Sequence, residues 1–244
     1  MSTRSHPTTG MQTWTTWLPS LLHLTDSAYP IGGFAHSGGL EGFVGLNFAE
    51  TAEDVRHFVM HEIADSLCCI DLPLIHHTCM ASSVRDINAL IQIDDLAEAL
   101  RFSKEQRQAG KRMGTQRWNL LESLHMGVLE PTDRRWLAQL AQHLPHRHLP
   151  IVIGIEATLL GIPDTAAMAA LAHQTVMMAA QAAMKLLRVG QTAVQSIVAE
   201  ASRHYPAWIE QALTLELNDL GTFQPRFDVA TCWHETADAR MFLS

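Results

Sequence analysis

Thr51-Ala52-Glu53-Asp54-Val55-Arg56-His57-Phe58-Val59-Met60-His61-Glu62-Ile63-Ala64-Asp65-Ser66-Leu67 is the stretch on which the fold turns. Thr51 followed three residues later by Asp54 reads as a capping box, the pairing that satisfies donors left over at a helix start. Behind it Val55, Phe58, Val59, Glu62, Ile63 and Leu67 recur at spacings of three and four and share one helix face. The same rhythm runs through most of the chain. Alternation over four to eight residues hardly occurs, so the fold class is all-α.

Upstream, the sequence predicts a helix over Leu18 to Thr25, broken by Pro30 and Gly32-Gly33, and a second from Ala35 to Leu46. Downstream, Pro73 is placed in the first turn of a fourth helix reaching Ser82, and a fifth spans Asp86 to Leu100. Ser103 to Leu129 reads as a long polar-faced helix and Asp133 to His143 as a short one. Ile151-Val152-Ile153-Gly154-Ile155 favours strand by its β-branching, yet it runs on into Glu156-Ala157-Thr158-Leu159-Leu160, and we read it as a buried helix. Ala166 to Ala201 is an alanine-rich helical run with a bend at Gly190. Pro206 opens a further helix to Leu220, and Gly221 to Pro225 punctuates the chain before its last segment. With no repeat and no long linker, about ten helices should share one compact bundle, a single domain over residues 1–244 with 1–17 a flexible tail.

A chain of 244 residues can bury roughly 70% of its surface. With 47% apolar and 17% charged residues it is too hydrophobic and too weakly charged to be disordered. A net charge of −8 argues against nucleic acid and anionic membranes as partners, which call for a basic surface. Met1 to Trp17 lacks the features of a leader peptide, and the expectation is a cytoplasmic protein. The most apolar stretches, Leu149 to Ile162 and Thr165 to Val189, are interrupted or bounded by Glu156, Pro163, Asp164, His173, Gln174, Gln181 and Lys185, so neither reads as a membrane span. Cys68, Cys69, Cys79 and Cys232 lack a CxxC spacing and read as reduced thiols.

Motifs for chemistry are mostly missing. Gly110-Lys111-Arg112 has no glycine loop before it, so the chain has no P-loop, and neither HExxH nor GxSxG occurs. A di-iron bundle needs two ExxH motifs, and only Glu122 to His125 fits. His57 and His61 lie four apart, which suits either a polar helix face or a metal pair completed by His76, His77 or Cys79. His143, His146 and His148 around Pro145 and Pro150 read as a solvated turn or a ligand cluster. Arg101, Lys104, Arg107, Lys111 and Arg112 share one side of a helix, either a solvated face or a docking surface for an acidic partner. The densest signal is Pro30-Ile31-Gly32-Gly33-Phe34-Ala35-His36-Ser37-Gly38-Gly39-Leu40-Glu41-Gly42. Its glycines suit a tight turn and a close helix contact, while His36, Ser37 and Glu41 leave room for a functional surface.

From Leu21-Leu22-His23-Leu24-Thr25-Asp26-Ser27-Ala28-Tyr29 through Pro30-Ile31-Gly32-Gly33-Phe34-Ala35-His36-Ser37-Gly38-Gly39-Leu40-Glu41, the chain resembles the signature of the urease accessory protein UreF family. Lys111-Arg112-Met113-Gly114 resembles that family's R-x-M-G element. Ala183-Met184-Lys185-Leu186-Leu187-Arg188-Val189-Gly190-Gln191 resembles its basic-residue-then-LGQ element, and Arg240-Met241-Phe242-Leu243-Ser244 its R-x-F-x-S end. Arg188 stands where the family often has proline, and the N-terminus is short and polar.

The resemblance implies an all-helical, non-catalytic, dimerising scaffold without cofactor or resident metal. It would bind UreD (also called UreH), recruit and regulate the GTPase UreG, and deliver nickel to apo-urease. It marks Pro30, Gly32, Gly33, His36, Ser37, Gly39, Glu41, Lys185, Gly190 and Gln191 as signature positions, and Phe34 and Arg240 as residues of complex assembly. Residues 225–244, ending in Arg240, Met241, Phe242, Leu243 and Ser244, are expected to order on partner binding, with Arg240 as forked donor and Phe242 as apolar anchor. The alternative is a tail helix packed on its own core. Lys185, in the most apolar helix, either finds a carboxylate or carbonyl partner or snorkels to solvent. The competing reading of the whole chain is a helical metal-binding protein or metallochaperone built on His57 and His61.

Overall fold

The structure, a computed structural model, describes residues 14–243. Residues 1–13 of the expected N-terminal tail lie outside the described part, and Trp14 to Trp17 open α1 (Trp14–Thr25). Its successor is shorter than expected. Instead of one helix from Ala35 to Leu46, a 3₁₀ turn at Gly33–Ala35 is followed by α2 (Leu40–Gly45). Gly38 and Gly39 between them have φ of 65° and 90°, left-handed values that no right-handed helix can include.

The capping box forms as read, with Thr51 Oγ1 accepting from the Asp54 amide at 3.2 Å and Asp54 Oδ2 accepting from the Thr51 amide at 2.9 Å. It opens α3 (Ala52–Phe58), which then continues without a break. A π-helical turn at Val59–Ile63, α4 (Ala64–Ser66), a second π turn at Leu67–Asp71 and α5 (Leu72–Ser83) make one rod. Pro73 does lie in the first turn of α5, as expected, but that helix continues the rod without a break before it. Lacking an amide proton, Pro73 leaves the carbonyl of Cys69 without its helical donor, and the Gly221 amide fills that place at 3.1 Å. Close by, the Gln224 side chain donates to the Glu62 carbonyl at 2.9 Å and meets Ser66 Oγ at 3.0 Å, so the 221–224 loop is stapled along the rod.

After the rod come α6 (Ile87–Ala99), α7 (Lys104–His125), α8 (Pro131–His143) and α9 (Leu149–Leu159). Ser103 caps α7 in a second capping box, closed by Gln106. Next are α10 (Asp164–Leu186), α11 (Gln191–Ala212) and, after a 3₁₀ turn at Leu217–Asp219, α12 (Pro225–Thr236). The long alanine-rich run is thus not bent at Gly190 but broken over 187–190, where Leu187 and Gly190 are extended. Pro206 does not start a helix. It sits inside α11 on an exposed face, where the carbonyl it frees can turn to water. With the rod counted as one, the described residues form ten helices and no strand. None is long and apolar enough to cross a membrane.

The β-branched α9 is a helix because it has no solvent face, every residue from Leu149 to Ala157 being buried. It shares with α5 a wall between two apolar clusters. Ile75 and Ile153 face the cluster that holds α10, α11 and α12, while Leu74 and Ile155 face the one that holds α6 and α8. The loop that leads into its N-cap, His148, is held from another helix. Asp94 of α6, fully buried, accepts the amides of His146, Arg147 and His148 at 2.8, 2.9 and 3.0 Å. Arg117 of α7 reaches Glu156 of α9 at 2.6 Å in a buried pair beneath Tyr29, whose hydroxyl burial and Glu156 together push up to about 12.

At Gly114 a Cβ would fall 1.8 Å from the carbonyl oxygen of Arg147, so α7 passes the start of α9 at backbone contact. Gly114→Ala should therefore lower stability by about 1–3 kcal/mol or more, read from urea unfolding midpoints. An unchanged midpoint would refute that packing.

His148 is fully buried with Nε2 2.7 Å from Glu98 Oε2, and burial holds its ring below the ordinary value of 6.5 although Glu98 pulls it upward. The unfolded chain then binds more protons as pH falls through that value, so stability declines toward acid. Urea unfolding should require less denaturant at pH 5.5 than at pH 7.5. The His148→Gln variant should show a shallower decline, with buried His36, also held low, supplying part of the remainder.

Candidate functional site

The glycine-rich signature places α2 directly on α12. A Cβ on Gly42 would lie 2.2 Å from the carbonyl oxygen of Ala230, so the two helices touch backbone to backbone. Ser37 Oγ accepts the Glu41 amide at 3.2 Å at the start of α2, which holds the Glu41 side chain toward α12.

There Glu41, only 9% exposed, becomes a receiver for the end of the chain. Its Oε1 accepts the Met241 amide at 2.6 Å, and its Oε2 accepts the Phe242 amide and His234 Nε2, each at 2.9 Å. His234, 2% exposed, turns its other nitrogen to Glu105 Oε2 of α7 at 2.6 Å, and Glu105 Oε1 accepts from Arg240 at 2.5 Å. An ionised carboxylate only accepts, so His234 serves both by donating from each ring nitrogen. The Leu243 amide donates to the Ala35 carbonyl at 2.8 Å, and Phe242 is buried with the Lys185 ammonium 5.1 Å from its ring centre. The last described residues thus form a hook, non-helical beyond Thr236, closed over the signature.

Behind the hook, His36, Asp71, Arg101, Glu105 and His234 help line a cavity of about 140 Å³. Burial and, second, Arg112 hold His36 low against the pull of Glu105. On the outer side the hook leaves Phe34, Met241 and Leu243 uncovered, at 49%, 62% and 53% exposure.

Among the residues marked from sequence, Phe34, Glu41, Lys185, Arg240, Met241, Phe242 and Leu243 therefore come together, while Pro30, Gly32, Gly33, His36, Ser37 and Gly39 form the loop and cap beneath them. In this conformation Arg240 is engaged by Glu105 and Phe242 points inward. Lys185 is exposed over the Phe242 ring. Gly190 and Gln191 sit in the α10–α11 connection, and Ser244 lies outside the described residues. Sequence reading missed His234 and the part played by Glu105. They meet Glu41 and each other across separations of 193 and 129 positions, and no local pattern signals that.

Other candidates resolve differently. Arg101 pairs with Asp71, Arg107 donates to the carbonyls of Arg101 and Phe102 at 2.7 and 2.8 Å, and Lys111 pairs with Glu98 at 2.7 Å, so most of the basic face is engaged within the chain. The rings of His57 and His61 are 4.0 Å apart, but no group of three or more His, Cys, Asp or Glu among the described residues is placed to hold a metal ion. His143, His146 and His148 turn to three different partners, the Gln139 carbonyl, Asp95 and Glu98. The four cysteines are unpaired, and burial raises each thiol, Cys68 and Cys79 to about 12, which leaves no reactive thiolate.

A comparison with protein families bears on a region that excludes the glycine-rich stretch and the hook but takes in the elements at 111–114 and 183–191. The UreF family model matches residues 49–202, from the capping box of the rod to the middle of α11. A match over more than half of the chain, on the helices that build this core, means that the chain belongs to the urease accessory protein UreF family.

Proposed function

We propose that this chain is a scaffold for urease maturation that acts through its hook. Membership of the UreF family carries the accessory role in urease maturation. The finer reading is that the cytoplasmic protein, as a homodimer without cofactor, binds UreD (UreH) and recruits the GTPase UreG. It then regulates GTP hydrolysis there so that nickel enters apo-urease. The observation that carries this reading is the closure of the tail on the signature. It leaves Phe34, Met241 and Leu243 as exposed apolar groups around a tail held by three backbone hydrogen bonds and the Arg240–Glu105 ion pair. Apolar groups already fixed in place lose little freedom on binding, which suits them as anchors.

The chain and a co-expressed UreD supply the test. Phe34→Ala with Leu243→Ala, both at exposed positions, should weaken UreD binding by about 30-fold or more while leaving the thermal midpoint nearly unchanged. The same variant should fail to restore urease activity in a host whose operon lacks this gene, where the intact chain succeeds. Normal UreD binding by the double variant would overturn the assignment of this surface. Failure of the intact chain in an otherwise competent host would overturn the scaffold reading.

A further inference from the structure

The hook hangs on one residue that belongs to neither the signature nor the tail. His234 stands on α12, buried, with one ring nitrogen on Glu41 and the other on Glu105. Those two carboxylates are the groups that hold the tail, Glu41 by the amides of Met241 and Phe242 and Glu105 by the Arg240 guanidinium. Two carboxylates facing each other across a buried site repel unless a cation stands between them. The backbone amides they receive from the tail carry no full charge to offset this. Arg240 is half exposed and reaches only Glu105. Glu235, the neighbour of His234 in sequence, brings a further carboxylate, accepting the Glu105 amide at 3.2 Å.

We propose that His234 is the positioning residue of the partner surface, the post that fixes Glu41 and Glu105 at the separation the tail requires. This rests on the docking role given above to Phe34, Met241 and Leu243, because it is their placement that His234 sets. The hydrogen bonds of the ring go to the two carboxylates, and through them it acts on that surface.

The test separates the two claims. In the full chain, NMR exchange rates of the Met241 and Phe242 amides are compared between wild type and His234→Ala, and UreD binding is measured for both. The comparison is then repeated in chains lacking residues 240–244. Losing two charge-assisted hydrogen bonds should speed exchange of both amides at least about tenfold and weaken UreD binding by a similar factor. In the truncated chain the substitution should have no further effect on UreD, the non-additivity expected of residues that act as one unit. Unchanged exchange in the full chain would overturn the proposal, as would an equal loss of UreD binding in the truncated one. If His234→Ala does not fold, His234→Gln takes its place. That side chain can donate to one carboxylate only, and should give a smaller rise in exchange of the same kind, whereas wild-type exchange would again overturn the proposal. A wild-type chain whose amides are protected by His234 but which ignores UreD would sink the docking role and leave the positioning role standing.

Discussion

The burial of α9 on every side is the constraint from which most of this structure follows. A helix without a solvent face cannot leave its first amides to water, and its own sequence supplies no cap there, since Pro150 and His148 flank the start. Asp94 of α6 accepts the amide of the N-cap His148 and those of His146 and Arg147 in the loop before it, which fixes α6 against the start of α9. Glu156 on the same helix has no water either, and Arg117 of α7 is drawn in to meet it. Removing either partner of that pair strands a charge in the core, so the pair specifies which turn of α7 faces which turn of α9.

The site is built on the other side of the wall, and its parts are held by backbone contacts together with side-chain hydrogen bonds. The rod offers an open carbonyl at Cys69, created by Pro73, and the loop before α12 closes it through Gly221. Gln224 adds the contacts to Glu62 and Ser66. With its start pinned in this way and its middle pressed against Gly42, α12 has little freedom in the direction that matters, and His234 is carried to a defined point between α2 and α7. The signature glycines are explained by geometry of this kind. Gly39 supplies a left-handed turn and Gly42 a surface without a side chain, and neither takes part in chemistry.

Much of this was legible from local pattern. The capping box at Thr51, the helix start at Ser103, the 3.6-residue rhythm and the buried character of Ile151 to Ile155 depend on residues within one or two turns, and each lies where the sequence placed it. What local pattern could not reveal depends on distant groups. That the rod runs unbroken into Pro73 shows only once Gly221 is known to satisfy Cys69, and Pro206 looks like a start until its exposed position is seen. The break at 187–190 was legible only as a bend, because Leu187 and Val189 continue the apolar rhythm straight through it. The functional site divides in the same way. The signature and the tail are each contiguous and were found as motifs, but that the one closes on the other, through a histidine from a third segment, is a fact of tertiary structure alone.

The contact between Glu41 and Phe242 joins positions 201 residues apart. Closing a loop of that length in an unfolded chain would cost about 5 kcal/mol of entropy, more than two amide hydrogen bonds return. The hook cannot nucleate folding. Once Gly42 has met Ala230, however, the closure still needed is only the short stretch from α12 to Met241, and the cost nearly vanishes. Closure of the hook therefore draws on helices already in place. On the proposed reading, a partner that binds the closed hook would shift that local equilibrium toward closure.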